Sequence, residues 1–314
     1  MNKSQSTNSG AGSSLEGKVV VVTGAGGGIG RDFALAAAAE GAKVVVNDIG
    51  TSVTGEGQDS GAAQSVVSEI EQAGGVATAN VDSVSEWESA NNIIQTALDE
   101  YGRIDAVINN AGILRDRMFF NMSPDEWKAV IDVHLNGSFF VSRAAAPHFK
   151  KQNSGSYIHI VSTSGLIGNI GQVNYGAAKN GLAAVSRAIA IDMERFNVRS
   201  NCIAPFAFSR MVGSIPTDKP EMADKVEKAK RMETRKIAPL AIYLASDLAK
   251  DVTGQIFTVR ANELFLMSQS RPIRSVHHAS GWTPQSIAEN AIPSMKAHFY
   301  GLERSADVFS WDPI

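Results

Sequence analysis

A serine, a tyrosine and a lysine in one short segment have the types and spacing needed for alcohol–carbonyl chemistry. Ser162 lies 13 residues before Tyr175, and Lys179 follows that tyrosine by four residues. If a helix begins near the tyrosine, the i,i+4 spacing places the phenol and the ammonium on one face. A nearby ammonium favours the phenolate and lowers the tyrosine pKa, so the hydroxyl can exchange a proton near neutral pH. Such a tyrosine–lysine pair also occurs on ordinary surface helices, so the surrounding sequence must decide.

A glycine-rich turn near the N-terminus is typical of a dinucleotide-binding site. Residues 19–30 read VVVVTGAGGGIG, in which an apolar strand runs into glycines and then into a helix. Glycines let the backbone approach a pyrophosphate, and the helix N-terminus offers free N–H groups and a positive dipole. The motif has the strand and helix context that it requires, so we interpret it as cofactor-binding rather than as a plain turn. The residues expected to contact the cofactor here are Gly24, Gly28, Ile29 and Gly30.

An acidic residue at the end of the second predicted strand indicates which cofactor binds. Asp48 lies 18 residues after Gly30. A carboxylate at about this distance accepts hydrogen bonds from the adenosine ribose and repels a 2′-phosphate. The glycine turn contains no arginine or lysine, although Arg31 follows it directly. The pattern favours NAD over NADP, and a solvated carboxylate at a strand end remains the alternative reading of Asp48.

Alternating short apolar runs and longer amphipathic stretches predict an α/β fold. We expect a single Rossmann-type, doubly wound parallel sheet of about seven strands flanked by helices. The predicted strands are residues 18–23, 43–48, 76–81, 104–109, 156–161, 198–203 and 255–259. The predicted helices are residues 29–40, 62–73, 86–101, 124–151 and 173–196, three of them followed by a glycine of the kind that ends helices.

The organisation of the chain follows from the same pattern. Residues 1–14 are predicted to be a disordered lead, residues 15–267 the dinucleotide-binding and catalytic domain, and residues 268–314 an extension. This C-terminal extension is apolar enough to pack on the domain or on a partner subunit. The glycine-rich stretch 50–61 is either a solvated insertion or a flap near the adenosine end of the cofactor.

Composition excludes several classes of function. The chain has 314 residues, 44% of them hydrophobic and 19% charged, with a net charge of −3. This balance is ordinary for a globular protein and gives no electrostatic reason to expect nucleic acid. No apolar run reaches the ~18 residues of a membrane span. The single cysteine, Cys202, cannot form an intrachain disulfide, so we expect a reducing compartment, the cytoplasm by default. No metal site is predicted.

Two predicted strand ends and one helix supply further candidates. Ligands of an open parallel sheet bind beyond the carboxyl ends of its strands. The fourth predicted strand ends at Asn109 and continues as Asn-Ala-Gly, which suits a ribose and a nicotinamide, and the fifth ends just before Ser162. The long helix between them carries Asn136 in an otherwise apolar run. An isolated helical asparagine is more often a surface or capping residue.

Together these motifs resemble the short-chain dehydrogenase/reductase family over roughly residues 15–259. The resemblance rests on the glycine turn, the NNAG motif, Asn136, Ser162 and the tyrosine–lysine pair in this order. It implies that Tyr175 is the acid/base and that Lys179 lowers its pKa and holds the nicotinamide ribose. Ser162 would orient the substrate oxygen, and Asn136 would hold a water in a proton relay.

The family resemblance also implies further cofactor contacts. They are Asp82, Asn109, Ala111, Gly112, Tyr175, Lys179 and Pro205. A helix N-cap is an equal alternative for Asp82. Ser164 is a neighbouring candidate for the serine role, but the 13-residue offset favours Ser162.

Longer strings narrow the resemblance within the family. VVVNDIG, NNAGILRDR, VHLNGSF and GNIGQVNYGAAK are similar to the (3R)-hydroxyacyl-CoA dehydrogenase domain of peroxisomal multifunctional enzyme type 2 and to its bacterial relatives. This similarity implies NAD-linked oxidation of a 3-hydroxyacyl-CoA, a small-molecule thioester, by a homodimer or homotetramer. One alternative is the same chemistry on a free hydroxysteroid or another alcohol or ketone without CoA, and a remote one is a non-catalytic NAD sensor.

The substrate entrance is where the sequence departs from the family pattern. Phe206 and Arg210 stand where glycine and threonine are usual, so we expect the loop after the sixth strand to close differently over the site. Arg115, Arg117 and Arg210 either attract a CoA phosphate or form ordinary surface ion pairs.

Overall fold

Eight strands form one sheet, and seven of them are parallel. The computed structural model describes residues 13–57, 61–207 and 227–314. The strands are β1 (Val19–Thr23), β2 (Lys43–Asn47), β3 (Val76–Asn80), β4 (Ala106–Asn109), β5 (Gly155–Ile160), β6 (Val198–Phe206), β7 (Ile256–Arg260) and β8 (Glu263–Leu266). They lie in the order β3-β2-β1-β4-β5-β6-β7-β8. The predicted α/β fold with a parallel sheet is confirmed, and the antiparallel strand β8 is an addition to it.

Helices cover the sheet. They are α1 (Gly28–Ala39), α2 (Gly61–Gln72), α3 (Trp87–Tyr101), α4 (Pro124–Ile131), α5 (Gly137–Gln152), α6 (Thr163–Leu166), α7 (Val173–Met193) and α8 (Ala238–Ala245). Short helical turns lie at Phe119–Asn121, Glu194–Phe196, Thr234–Lys236, Asp247–Ala249, Pro284–Ser286, Ile287–Ala291, Ile292–Met295, Lys296–His298 and Ser305–Val308. No helix in the described parts of the chain is long and apolar enough to cross a membrane.

The helix predicted over residues 124–151 is interrupted. It consists of α4 and α5, joined by a π-helical turn over Asp132–Asn136. Its start is strongly specified: Ser123 accepts a hydrogen bond from the backbone of Glu126, whose carboxylate caps the serine N–H in return. A π-helical turn inserts an extra residue into the hydrogen-bond ladder and frequently marks a functional site.

Apolar runs form the central strands because both faces of the sheet are covered. All five residues of β1 are buried. Val20 and Val22 pack with α1 on one face, whereas Val19 and Val21 pack with α3 on the other. Strand β1 pairs with β2 on one side and with β4 on the other, so the strand order reverses here. A crevice therefore opens at the carboxyl ends of β1 and β4.

The last residues of the C-terminal extension pack on the edge of the sheet. The ring of Phe309 lies 4.9 Å from that of Phe206 and 5.2 Å from that of Phe265. Trp311 donates its indole N–H to Glu263 at 2.6 Å. The middle of the extension, in contrast, leaves large apolar side chains exposed, including Ile273, Phe299, Tyr300 and Leu302.

Candidate active site

The glycine turn after β1 forms a backbone cradle at the start of α1. Gly28 has a φ of +54°, a conformation that favours glycine. A Cβ on Gly30 would overlap the carbonyl oxygen of Gly24, so the turn closes only with glycine at this position. A Cβ on Gly27 or Gly28 would meet nothing within 4 Å, so this side of the turn is open. The cradle fits a pyrophosphate held at the N-terminus of α1.

Asn110 holds this cradle in place, a role that the sequence analysis missed. Its amide donates to the carbonyl oxygens of Thr23 at 3.0 Å and Gly24 at 2.9 Å. Asn109, which was predicted to contact the cofactor, instead points into the core and donates to Ser142 at 2.9 Å. The two asparagines of the NNAG motif therefore serve opposite sides of β4, as the alternation of side chains along a strand requires.

A cleft of about 750 Å³ runs along the cradle. It is lined by the glycine turn, the end of β2, the loop at residues 49–55, residues 83–85, residues 110–113, Arg115 and part of the α4 region. Of the predicted cofactor residues, Gly24, Gly28, Ile29, Gly30, Asp48, Ala111 and Gly112 line it. Asp82 does not line it and accepts a hydrogen bond from the Asn80 amide. It does not cap α3 either, because the N-cap is Glu86. Pro205 lies on β6 opposite Val259.

Asp48 presents a carboxylate to this cleft. Its two oxygens accept the backbone N–H groups of Gly26 at 2.8 Å and Gly50 at 2.7 Å. Arg31, the cation that follows the glycine turn, is paired with Glu69 and Asp32. The charge at this end of the cleft is therefore negative, which disfavours an additional phosphate on the adenosine ribose.

The loop after β2 lines one side of the cleft. This position agrees with the interpretation of residues 50–61 as a flap. The carbonyl of Val53 accepts the N–H of Leu114 at 2.9 Å. Glu56 forms an ion pair with Arg115 at 3.5 Å. These contacts tie the loop to the segment after β4, so it is not a free solvated insertion. Residues 58–60 lie outside the described chain.

The three predicted basic residues differ in their surroundings. Arg117 forms a hydrogen-bonded ion pair with Glu126 and is 55% exposed on its side chain, so it fits the surface ion-pair reading. Arg115 lines the cleft, and its Nε has no hydrogen-bond partner among the described residues. Arg210 lies outside the described residues.

Ser162, Tyr175 and Lys179 are brought together, as their spacing predicts. Ser162 follows β5 and caps α6, where its hydroxyl accepts the N–H of Ser164 at 3.1 Å. The same hydroxyl lies close enough to the phenol of Tyr175 to lower its pKa. The ammonium of Lys179 lies 5.6 Å from the centre of the tyrosine ring and donates to the Ile160 carbonyl. The arrangement can hold a substrate oxygen between two hydroxyls with a cation behind them.

A buried asparagine fixes the start of α7, and the sequence analysis did not identify it. The amide of Asn174 donates to the carbonyls of Arg115 at 2.9 Å and Glu126 at 3.1 Å. Its oxygen accepts the N–H of Tyr175 at 2.7 Å. Asn174 therefore sets the position of Tyr175 relative to the segment after β4.

The pKa of Tyr175 moves in the direction opposite to the sequence prediction. Burial raises its pKa above the ordinary value of 10.0 and outweighs the lowering effect of the nearby Ser162 hydroxyl, while the charge of Asp116 raises it further. Burial also lowers the pKa of Lys179 to about 7. The Lys179 amine is therefore only partly protonated at neutral pH. It lowers the tyrosine pKa less than a fully protonated surface lysine would.

The structure does not bring Asn136 to this group. Its amide donates to Asp132, one turn earlier on the same helix, at 3.0 Å. The residue beside Tyr175 is His134, whose ring centre lies 5.1 Å from that of the tyrosine. Residues two apart on a helix do not share a face. In the sequence, His134 lies two residues before Asn136 in the run VHLNG.

Comparisons with known proteins identify the family to which the chain belongs. Residues 18–219 match the family model described as short chain dehydrogenase. The chain belongs to the short-chain dehydrogenase family. This short-chain dehydrogenase also resembles a solved structure of a short chain dehydrogenase from Mycobacterium avium, with a TM-score of 0.80 and 39% identity, over 92% of this chain and 97% of that one.

Its curated relatives include hydroxyacyl-CoA dehydrogenases. It is 46% identical over 237 residues to a short-chain type dehydrogenase/reductase of Mycobacterium tuberculosis, covering 76% of this chain and 80% of that one. Hydroxyacyl-CoA dehydrogenase ChsB1 of the same organism is 35% identical over 312 residues, 95% and 86% of the two chains. Peroxisomal multifunctional enzyme type 2 of Mus musculus is 43% identical over 278 residues, which are 88% of this chain but 36% of that enzyme.

The substitution Lys179→Met tests whether the buried ammonium destabilises the fold. The folded-state pKa of about 7 lies below the ordinary value of 10.5, so the folded chain binds fewer protons between these values. The lysine therefore destabilises the fold fully below pH 7, and the effect fades as the pH rises towards the unfolded pKa. We expect Lys179→Met to be the more stable protein near pH 6, by roughly 1.4 kcal/mol per unit of pKa difference at most. Urea unfolding of both proteins across pH measures the gap, and a gap that widens with pH contradicts this account.

Proposed function

We propose that this chain is an NAD-dependent dehydrogenase that oxidises a secondary alcohol, with a 3-hydroxyacyl-CoA as substrate. The observation that carries the proposal is the grouping of the Ser162 hydroxyl, the Tyr175 phenol and the buried Lys179, whose ammonium lies 5.6 Å from the centre of the tyrosine ring. A protein that only sensed the dinucleotide would need the cradle but no buried proton-transfer group. The presence of both features supports an enzyme over an NAD sensor.

The reaction needs two positioned hydroxyls and a proton acceptor. Ser162 donates a hydrogen bond to the substrate oxygen and holds it next to Tyr175. Tyr175 accepts the alcohol proton, and the charge of Lys179 favours its phenolate form against the burial that raises its pKa. NAD, when bound by the glycine cradle and Asp48, supplies the hydride acceptor. Burial of Lys179 keeps water from competing for its ammonium.

The substrate class is supported by the relatives' names. ChsB1 is named a hydroxyacyl-CoA dehydrogenase, and the mouse relative is named a multifunctional enzyme. The chain spans about a third of the latter's length, so that enzyme's complete activity does not transfer. A cytoplasmic location remains a prediction, because several relatives are named peroxisomal.

Turnover of a substrate panel tests the proposal. NADH formation is measured with 3-hydroxyacyl-CoA thioesters of both configurations and several chain lengths, with hydroxysteroids and with simple secondary alcohols. We expect the thioesters to give the highest kcat/KM. A strong preference for a free alcohol would move the assignment to the alternative substrate class, and turnover of none would remove the enzyme assignment.

Removing a single hydroxyl separates catalysis from binding. Tyr175→Phe deletes the proton acceptor and keeps the ring. We expect it to lower kcat by about 10²-fold to 10⁴-fold, which is the typical contribution of general acid–base catalysis. NADH affinity, followed by fluorescence titration, should change little. Tyr243→Phe makes the same change on α8, away from the site, and serves as the control. Substantial turnover in Tyr175→Phe would contradict the role given to this tyrosine.

Asp48→Asn tests the choice of cofactor. The amide removes the negative charge at the ribose end of the cleft while keeping one oxygen to accept a backbone N–H. We expect the kcat/KM ratio of NAD to NADP to fall about 10-fold or more, because a hydrogen bond to a charged group contributes ~1.5–3 kcal/mol. An unchanged ratio would mean that Asp48 does not select the cofactor.

We also propose that the chain forms a homodimer or homotetramer through its long helices. Apolar side chains are exposed on these helices, with Phe139 on α5 45% exposed and Ile191 on α7 62% exposed. Light scattering after size exclusion should show a dimer or tetramer, and Ile191→Glu should give a smaller species. Leu248→Glu changes an exposed leucine outside these helices and serves as the control. A monomeric parent protein would contradict the proposal.

A further inference from the structure

Residues 50–57, which we call the strap, reach from one half of the sheet to the other across the dinucleotide cleft. The strap follows β2 and is bonded to the segment after β4, and the strand order is β2-β1-β4. It therefore passes the end of β1, where the glycine turn lies, over two strand spacings, roughly 10 Å. Both the glycine turn and the strap line the cleft. A dinucleotide in this cleft lies between them.

The near end of the strap shares a carboxylate with the glycine turn. One oxygen of Asp48 accepts the N–H of Gly50 at 2.7 Å, and the other accepts that of Gly26 at 2.8 Å. Gly50 has a φ of +70°, a conformation that favours glycine. The strap is therefore fixed at its start to the residue that is proposed to hold the adenosine ribose.

The tip of the strap is a compact turn that packs on the wall of the cleft. The backbone N–H of Ser52 donates to the Glu56 carbonyl at 2.8 Å, and the N–H of Gly55 donates to the Ser52 carbonyl at 2.9 Å. A Cβ on Gly55 would lie 3.2 Å from the Ile113 side chain, so the turn approaches this isoleucine through backbone atoms. Because the hydrogen bonds are internal to the tip, the tip keeps its shape when its contacts with the rest of the chain break.

Polar contacts hold the tip to the segment after β4. The Leu114 N–H donates to the Val53 carbonyl at 2.9 Å, and Glu56 pairs with Arg115 at 3.5 Å. The Glu56 side chain is 71% exposed, and an ion pair so open to water stabilises little. The glycine turn, in contrast, is held by two hydrogen bonds from the Asn110 amide. Of these two walls of the cleft, the tip of the strap opens at the lower cost.

We propose that the strap gates the cofactor site: its tip parts from the segment after β4 for NAD to enter and NADH to leave, with the Glu56–Arg115 ion pair as the latch. The proposal rests on the proposed function, which places NAD in this cleft. Loop opening or product release sets the turnover rate of many enzymes. The latch contains neither Tyr175 nor Lys179, so it acts on cofactor exchange and not on proton transfer.

A gate and a simple binding contact have different kinetic signatures. If the closed strap blocks the cleft in the free and in the NADH-bound protein, weakening the latch raises the association and dissociation rate constants together, and Kd changes little. If Glu56 and Arg115 merely help to hold NADH, weakening their ion pair raises the dissociation rate constant alone, and Kd rises with it. The two rate constants together therefore identify the role of the strap.

Glu56→Gln weakens the latch and keeps the size of the side chain. Stopped-flow fluorescence gives the NADH association and dissociation rate constants. We expect both to rise about 2-fold to 5-fold at low salt, the change expected from one exposed ion pair, and the difference from the parent protein to shrink at high salt. Glu100→Gln removes the same charge from an exposed carboxylate in the last turn of α3 and serves as the control.

A double variant and a readout without cofactor complete the test. Arg115→Ala already lacks the latch, so adding Glu56→Gln to it should change neither rate constant further. In the cofactor-free protein, hydrogen exchange of the Leu114 amide reports the bond to Val53 directly. We expect this amide to exchange faster in Glu56→Gln than in the parent protein or in Glu100→Gln, and more slowly in all three once NADH is bound.

The possible outcomes separate the gate from the cofactor assignment. Unchanged rate constants in Glu56→Gln, or a rise of the dissociation rate constant alone, would overturn the gate and leave NAD as the cofactor. Equal exchange of the Leu114 amide in Glu56→Gln and in the parent protein would also overturn the gate. A parent protein that does not bind NADH would instead remove the proposed cofactor, and the gate with it. Melting temperatures show that the variants are folded.

Discussion

A buried lysine ammonium is the constraint around which the candidate active site is arranged. Lys179 is 3% exposed, and removing its charge from water costs free energy that the Ile160 carbonyl offsets only in part. Its neighbours remain uncharged: burial and the lysine's own field lower the pKa of His159 to about 3, and burial raises that of Cys202 to about 12. The cysteine is therefore a small buried apolar residue and not a nucleophile. The ammonium faces groups that can accept hydrogen bonds without competing for its proton.

Amide side chains do much of the positioning in this site. Asn110 ties the glycine turn after β1 to the end of β4, and Asn174 fixes the start of α7. Each is bonded to the backbone of a segment distant in sequence, so each couples two loops that leave the sheet at different strands. In these bonds a side-chain amide pairs with a backbone carbonyl group of a loop. The loops are therefore held by hydrogen bonds, as the strands are. Asn109 performs a different task in the core, although it is adjacent to Asn110.

The sequence predicted those parts of the protein that depend on local pattern. Five consecutive buried residues make β1 recognisable, and the glycine turn with Asp48 identifies the cleft, because both motifs are short and contiguous. Which residue of this turn lies beside Tyr175 depends on the helical phase, and the π-helical turn shifts that phase between α4 and α5. The direction of the Tyr175 pKa required its burial, which spacing to Lys179 does not reveal. Strand β8 alternates partly buried and exposed residues over only four positions, too few for a clear period.

Ser162 lies at the start of α6, and this turn is fixed by contacts from outside the repeated βα units. Ser305, in the C-terminal extension, donates its N–H to the carbonyl of Gly168 at 3.0 Å. Its hydroxyl also lies 2.5 Å from that of Thr163, the residue after Ser162. On the other side of this turn, Gln172 donates to Asp116 at 2.8 Å. The loop between α6 and α7 is thus fixed at one end by the extension and at the other by the segment after β4. Since this loop connects Ser162 to Tyr175, their separation depends on contacts that the αβ repeat itself does not provide.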